Sequence, residues 1–172
     1  MKMKRSLLVL AMFGGMSSFA LAADNYIGLG YGNTDPDEGV FDKSDTLKLY
    51  GGQRFGSFGY ELAYHNYDKF ELPGSGTGER VEGSTLEAVA VGYLELNKSF
   101  DLFGKVGLAA WDLERKDNGG VIFSDDGVDA TYGIGVQFKP YKEASLRLEY
   151  TVINDASGSD LASTMLGVAF HF

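Results

Sequence analysis

Residues 146–152 read LRLEYTV, and the alternation in this stretch decides the fold class. Leu146 and Leu148 are apolar, whereas Arg147 and Glu149 beside them are charged. Successive side chains of a β-strand point to opposite faces, while a helix would group residues three and four apart. The stretch therefore predicts a strand with one apolar face and one charged face.

The same period of two recurs along most of the chain and predicts eight strands. The other alternating stretches are 25–32, 46–55, 58–67, 85–96, 102–110, 132–139 and 166–172. About ten residues at roughly 3.3 Å each, tilted near 45°, rise about 23 Å, close to the height of the apolar band of an outer-membrane barrel. Strands of soluble sheets usually have only about five or six residues.

Short and long connections alternate between these stretches. The short ones are 56–57, 97–99 and 141–143, and the long polar ones are 33–45, 68–84, 114–129 and 154–161. Transmembrane barrels have short turns on the periplasmic side and longer loops outside. Aromatic residues near the short turns fit the inner aromatic girdle of such a barrel: Phe55, Phe58, Phe100, Phe138, Tyr141 and Phe172.

Alternation alone leaves open which face meets the solvent. A soluble, lipocalin-like barrel would turn the apolar set inward, whereas a membrane barrel turns it toward lipid. Small residues share the charged face, as expected where side chains converge inside a narrow barrel: Gly28, Gly30, Gly107, Gly133, Gly135, Gly167 and Ala169. The sequence therefore predicts an all-β fold, an eight-stranded antiparallel, up-and-down, transmembrane β-barrel.

The first 22 residues have the features of a secretory signal peptide. Lys2, Lys4 and Arg5 precede an uncharged apolar run, and residues 20–22 read ALA. A transmembrane helix is the alternative, but the run is short and its flanks are those of a signal. We expect cleavage after Ala22 and a barrel domain over residues 23–172.

Removing that segment makes the chain strongly acidic. The sequence has 15 basic and 24 acidic residues, and loss of three basic ones leaves 12 against 24, a net charge of −12. We do not expect nucleic-acid binding, because it needs a basic surface. There is no cysteine, so no disulfide stabilises this exported chain.

Several stretches resemble the OmpA-like transmembrane domain of Gram-negative bacteria. They are FGYELAY (58–64), FGKVGLAAW (103–111), YGIGVQF (132–138), LRLEY (146–150) and MLGVAFHF (165–172). The resemblance implies that Phe170 and Phe172 belong to the signal read by the barrel-assembly machinery. The chain departs from the family pattern at Val91, where a lysine is expected, and at Gln137, where an acidic residue is expected. It also ends at the last strand, so a peptidoglycan-binding domain is not expected.

Charged residues on the inward face are the main candidate site. They are Lys48, Glu61, Glu87, Lys105, Arg147 and Glu149. The resemblance matches Glu61 and Arg147 to the acidic and basic members of the family's interior network. Because buried charges must be paired, we expect a satisfied polar core. The alternative is a gate for slow ion leakage.

Catalysis and cofactors are not expected. A Ser–His–acid triad needs a serine beside its histidine, and neither His65 nor His171 has one nearby in its own strand. Lipid-A-modifying enzymes use this scaffold, so that class stays as an alternative. No His/Cys metal cluster or phosphate-binding glycine loop is present in the sequence.

Acidic residues in the long connections are candidates for weak Ca²⁺ or Mg²⁺ binding, which could bridge to lipopolysaccharide phosphates. They are Asp35, Asp37, Asp125, Asp126 and Asp129. Solvated loops are the alternative. We therefore expect a monomeric, non-enzymatic barrel in contact with membrane lipid and lipopolysaccharide, serving envelope integrity or surface interaction, with a low-conductance pore as the main alternative.

Overall fold

The chain forms eight antiparallel β-strands in the computed structural model, which describes residues 24–36, 44–71, 80–117, 120–156 and 159–172. The strands are β1 (Asp24–Pro36), β2 (Ser44–Phe55), β3 (Phe58–Glu71), β4 (Arg80–Glu95), β5 (Phe100–Asp117), β6 (Gly120–Tyr141), β7 (Ala144–Ala156) and β8 (Ser159–His171). Each strand pairs with the next, and the order closes into a barrel. The predicted up-and-down, eight-stranded barrel is confirmed. The predicted signal peptide, residues 1–22, lies outside the described residues and stays a prediction.

The seam between the first and last strands closes the barrel. Leu29 of β1 lies opposite Val168 of β8, in a register that runs along both strands. At the end of the seam, the Asn25 and Phe172 backbones exchange N–H···O bonds of 3.2 and 2.8 Å. No strand edge is therefore left along this seam, as a membrane-spanning sheet requires.

The apolar face of the sheet points outward. Leu29, Val106, Ile134 and Leu166 are 52 to 68% exposed, whereas the interior face is buried and carries the charges. A soluble protein rarely exposes so continuous an apolar surface, but lipid covers it in a membrane barrel. The lipocalin-like alternative, with the two faces exchanged, is wrong.

Interior glycines make room for large rings. A Cβ atom on Gly28 would overlap the Tyr50 ring, and one on Gly135 would overlap the Phe103 ring. Because these glycines lack a side chain, the aromatic rings can cross the narrow lumen. The small residues of the charged face thus fill their predicted role.

The strands extend further than predicted at the end with the long connections, which we call the loop end. The expectation of a loop over 114–129 is wrong, because β5 continues to Asp117 and β6 starts at Gly120. The Trp111 ring lies against Gly127, where a Cβ would collide with it, and this packing holds the two strands together. The acidic composition of the segment suggested a loop, but cross-strand packing overrides that preference.

The opposite end of the barrel, which we call the turn end, has tight connections. Gly56 has a φ of 64° in the turn between β2 and β3, a conformation that favours glycine. The Asn97 side chain accepts the backbone N–H groups of Ser99 and Phe100 at 2.9 and 3.0 Å. Around this end five of the six predicted aromatic residues are exposed, and Phe138 is half-buried: the exposed ones are Phe55, Phe58, Phe100, Tyr141 and Phe172. Within the described residues, no helix has the length and apolar character needed to cross a membrane.

Candidate functional site: the charged interior

The interior holds a continuous network of ion pairs near the middle of the barrel. The structure brings together all six charges that the sequence singles out, from β2, β3, β4, β5 and β7, and each side chain is at most 5% exposed. Their strands place them there because each occupies an inward position of the alternation. Three are cationic and three are acidic, so the network is balanced in charge.

Glu61 of β3 bridges two cations from opposite sides. Its Oε2 accepts from the Arg147 guanidinium at 2.6 Å, and its Oε1 accepts from the Lys48 ammonium at 3.0 Å. The Tyr26 hydroxyl donates to Oε2 at 3.0 Å. Glu61 is completely buried, and these three donors supply the partners that a buried carboxylate needs.

The second half of the network is built on two lysines. Lys48 donates to Glu149 at 2.6 Å, and Lys105 lies 3.4 Å from the same carboxylate oxygen. Lys105 also pairs with Glu87 at 3.1 Å, and Glu87 in turn contacts the His65 ring nitrogen at 2.8 Å. Val91 and Gln137, the two positions where the family pattern expects a charge, contribute none to the network. Lys105 and Glu149 contribute charges to it instead.

Aromatic rings inside the barrel pack against the guanidinium of Arg147. The Phe103 and Tyr50 ring centroids lie 4.3 and 4.9 Å from its Cζ, and the Tyr26 centroid lies 5.7 Å away. These distances are within the range of cation–π attraction. We call these three rings the aromatic collar.

A second charged cluster lies at the turn end, and the sequence pattern did not predict it. Arg54 donates to Asp101 at 2.6 Å and to Glu95 at 2.7 Å, and Lys139 lies 2.9 Å from Asp101. Asp101 is completely buried although it directly follows a turn. The available signal was the inward position of Asp101 between the outward Phe100 and Leu102.

His171 has a serine partner, contrary to the expectation drawn from its own strand. Ser145 of β7 lies 2.8 Å from its Nε2, and Asp24 of β1 lies 2.9 Å from its Nδ1. The order of contacts is that of a catalytic triad. Ser145 is only 2% exposed inside the barrel wall, however, so a substrate carbonyl cannot approach its Oγ in this structure. The arrangement ties together the ends of three strands.

The acidic candidates for cation binding are not gathered into one site. Asp35 lies on β1, and Asp37 lies outside the described residues. Asp125, Asp126 and Asp129 lie on β6, not on a loop, and Asp129 accepts a hydrogen bond of 2.6 Å from the Trp111 indole. Adjacent strand residues point to opposite faces, which disfavours shared chelation. Cation binding stays a prediction.

Two further features concern the end of β8 and metal binding. Phe170 and Phe172 are 62 and 74% exposed on the outward face of the barrel. Their role as an assembly signal stays a prediction. In the described part of the chain, no group of three or more candidate ligand side chains has a metal-binding arrangement.

Known structures share this architecture. Neisserial surface protein A has a TM-score of 0.69 with 14% identity, covering 87% of this chain and 97% of that chain. The N-terminal β-barrel domain of Pseudomonas aeruginosa OprF has a TM-score of 0.63 with 13% identity, covering 87% and 99%. Ail of Yersinia pestis has a TM-score of 0.61 with 16% identity, covering 87% and 97%. At these identities the similarity establishes the fold.

Sequence comparisons add the family. No curated protein matches the sequence. The family model described as "Outer membrane protein beta-barrel domain" matches residues 6–172, which is nearly the whole chain. The closed barrel, its lipid-facing apolar band and this match agree, and the chain therefore belongs to the outer membrane protein beta-barrel domain family and is located in the outer membrane.

Proposed function

We propose that the chain is a non-enzymatic, monomeric barrel that supports the integrity of the outer membrane and presents an interaction surface outside the cell. The observation that carries this proposal is the filled interior. The ionic network and the aromatic collar occupy the lumen, and Ser145, the serine beside His171, is buried. A small barrel filled by its own side chains acts through its surfaces.

The outward surfaces suit this role. The apolar band contacts membrane lipid, and the polar loop end would meet lipopolysaccharide. During biogenesis, the exposed Phe170 and Phe172 at the end of β8 would engage the barrel-assembly machinery. Each of these contacts uses the outside of the barrel and leaves the charged interior unchanged.

The test of envelope integrity is a complementation experiment. A strain that lacks the gene should become more sensitive to detergents and bulky antibiotics, and the wild-type chain should restore resistance. Glu61→Gln, which changes only the interior, should restore resistance when the protein level equals that of wild type. An unchanged sensitivity in the deletion strain would contradict the proposal.

Single-channel recording separates this function from the low-conductance pore. We expect little current from the wild-type chain in planar bilayers and no increase in Glu61→Ala, because the buried rings of the aromatic collar still occupy the lumen. Phe103→Ala is the variant to compare with Glu61→Ala, because it removes one ring of the aromatic collar and leaves the ion pairs in place. A current in the wild type that changes with Glu61→Ala would favour the pore.

The loop end does not favour the ligand class found with one structural neighbour. Ail of Yersinia pestis has been crystallised with the heparin analogue sucrose octasulfate. Between Asp112 and Asp129 this chain carries six acidic residues and two basic ones. Because such a segment repels a polyanion, we expect its partner to be cationic.

A further inference from the structure

A groove interrupts the lipid-facing surface near the turn end, where two paired strands carry glycine at outward positions. Gly92 of β4 lies opposite Gly104 of β5 in the ladder. Apart from its chain neighbours, a Cβ atom on Gly92 would have no atom of the described residues within 4 Å, and one on Gly104 would meet only the Gly133 carbonyl oxygen, at 3.9 Å. The space above both glycines is therefore open toward the membrane. We call it the glycine groove.

Large apolar side chains flank the glycine groove. Phe58 of β3 lies opposite Gly92 and is 73% exposed, and Leu94 and Leu102 on its turn-end side are 62 and 42% exposed. The groove has a volume of about 290 Å³, near the lower end of the range for pockets that hold small molecules. Because its sides are apolar, it suits a hydrocarbon chain.

Packing, not the hydrophobic effect, would hold a chain in the glycine groove. The hydrocarbon of a membrane is as apolar as leucine, so an acyl chain gains nothing from avoiding water here. A chain that passes over a concave surface leaves a void and loses dispersion contacts, whereas a chain that enters it gains contacts with the floor and both sides. The groove therefore favours one held chain over the exchanging chains that cover the rest of the apolar band.

The position of the glycine groove identifies the leaflet that supplies the chain. The short turns of a transmembrane barrel face the periplasm, so a groove near the turn end lies in the inner leaflet of the outer membrane. Lipopolysaccharide would meet the opposite, loop end of this barrel. The lipid that reaches the groove is therefore a phospholipid.

The tip of the same hairpin places a cation at the depth of the phospholipid headgroups. Lys98 is exposed in the turn between β4 and β5. About five residues at roughly 3.3 Å each, tilted near 45°, separate this turn from the pair of glycines, a difference in depth of roughly 12 Å. That is about half the height of the apolar band, the part that the chains of one leaflet occupy. A chain in the groove would thus have its phosphate near Lys98.

The acidic residues at this end of the hairpin do not cancel the charge of Lys98. Glu95 accepts from Arg54 at 2.7 Å, and Asp101 accepts from Arg54 at 2.6 Å and pairs with Lys139 at 2.9 Å. Both carboxylates therefore have cationic partners from other strands. Lys98 adds an exposed positive charge, which complements an anionic headgroup.

We propose that the glycine groove binds one acyl chain of an anionic phospholipid of the inner leaflet, with the lipid phosphate beside Lys98. This inference goes beyond the proposed interaction outside the cell, because it concerns the periplasmic half of the barrel. It needs only the lipid-facing orientation of the apolar band. Dispersion contacts in the groove would hold the chain, and Lys98 would supply the preference for a net negative headgroup.

Native mass spectrometry of the mature chain tests this binding. The barrel is refolded in detergent, mixed with phosphatidylglycerol or with phosphatidylcholine of the same acyl chains, and the lipids that remain bound are counted. We expect one phosphatidylglycerol to be retained per barrel under conditions that remove further lipids. Phosphatidylcholine, which has no net charge, should be retained about two- to fivefold less, the effect of an exposed ion pair.

The groove and its control are compared in two double variants. Gly92→Leu with Gly104→Leu fills the glycine groove and should abolish the retained lipid. Ala88→Leu with Ala110→Leu adds the same side chains at exposed outward positions of the same two strands, away from the groove, and should keep it. Each variant must show the wild-type shift between unboiled and boiled bands on a gel, which establishes that the barrel has folded.

The headgroup contact is tested by single substitutions at exposed turn lysines. Lys98→Gln should lower the retention of phosphatidylglycerol to that of phosphatidylcholine. Lys142→Gln, which removes a lysine from the turn between β6 and β7, should leave the preference unchanged. Both positions are exposed, so these variants are expected to fold even where a filled groove does not.

Three results would overturn the proposal. The first is wild-type lipid retention in the folded variant with both glycines replaced, and the second is equal retention of the two lipids by the wild-type chain. The third is a dimer that disappears when the glycines are replaced, because it would assign the groove to a second copy of the chain. None of them affects the envelope role, which the complementation experiment tests separately.

Discussion

Arg147 is the residue on which most of the interior depends. It pairs with Glu61 at 2.6 Å and lies against three aromatic rings. Removing one member of a buried ion pair leaves the other charge without its partner, which is more harmful than removing both. Lys48 and Tyr26 still contact Glu61, so part of the loss would be offset.

We expect Arg147→Met to lower the free energy of unfolding by about 3 kcal/mol, the lower end of the range for a broken buried ion pair. Urea titration of the lipid-refolded protein, followed by gel mobility, measures this change. Lys142→Met, at an exposed turn position, should have little effect. A similar loss in both variants would mean that removal of charge in general, not the interior pair, is responsible.

The His171 contacts connect the ends of three strands, β1, β7 and β8. His171→Ala removes hydrogen bonds to Ser145 and Asp24, and should lower the free energy of unfolding by about 1–3 kcal/mol. Ser145→Ala removes only one of them and should cost less. A fluorophosphonate probe should leave the folded protein unlabelled, because Ser145 is 2% exposed. Labelling that disappears in Ser145→Ala would instead support a hydrolase.

At the scale of the strand, the side-chain faces were predictable and the strand lengths were not. The alternation of Leu146, Arg147 and Leu148 defines two faces locally, whatever the rest of the chain does. The end of a strand depends on its neighbours. Trp111 packing on Gly127 extends β5 and β6 through an acidic segment, and this contact exists only after the hairpin has formed.

Two glycines allow the turn and the strand to be compared. Gly56 adopts a φ of 64°, where a Cβ is strained, although space around it is open. Gly92 lies in β4 with nothing within 4 Å of an added Cβ. Gly56→Ala should therefore destabilise the barrel by about 1–2 kcal/mol, whereas Gly92→Ala should be neutral or stabilising by about 0.5 kcal/mol. Thermal unfolding of the two variants in parallel measures both effects, and equal shifts would argue against the backbone explanation.

At the scale of the whole molecule, closure of the barrel decides which distant residues meet. The central network could be anticipated, because an inward charge such as Glu61 has only the narrow lumen to enter. The turn-end cluster and the Ser145–His171–Asp24 contacts could not. The alternation around Asp101 indicates its inward face, but its partners Arg54 and Lys139 lie on other strands, and the contact between Asp24 and His171 requires that β1 and β8 pair. Sequence spacing does not reveal such pairs, because they depend on the seam.

Closure also predicts how the protein responds to denaturing detergent. A barrel whose strands pair in a closed ring has no open seam at which unfolding can begin, so it resists sodium dodecyl sulfate until it is heated. We expect the refolded mature chain to run at different positions on an unboiled and a boiled gel, with a β-type circular dichroism spectrum before boiling. Asp24→Pro, which perturbs the start of β1 at the seam, should lower the temperature at which the band shifts. A chain that stays soluble without detergent and runs at one position would contradict the lipid-facing orientation of the apolar band, since that surface could not remain exposed to water.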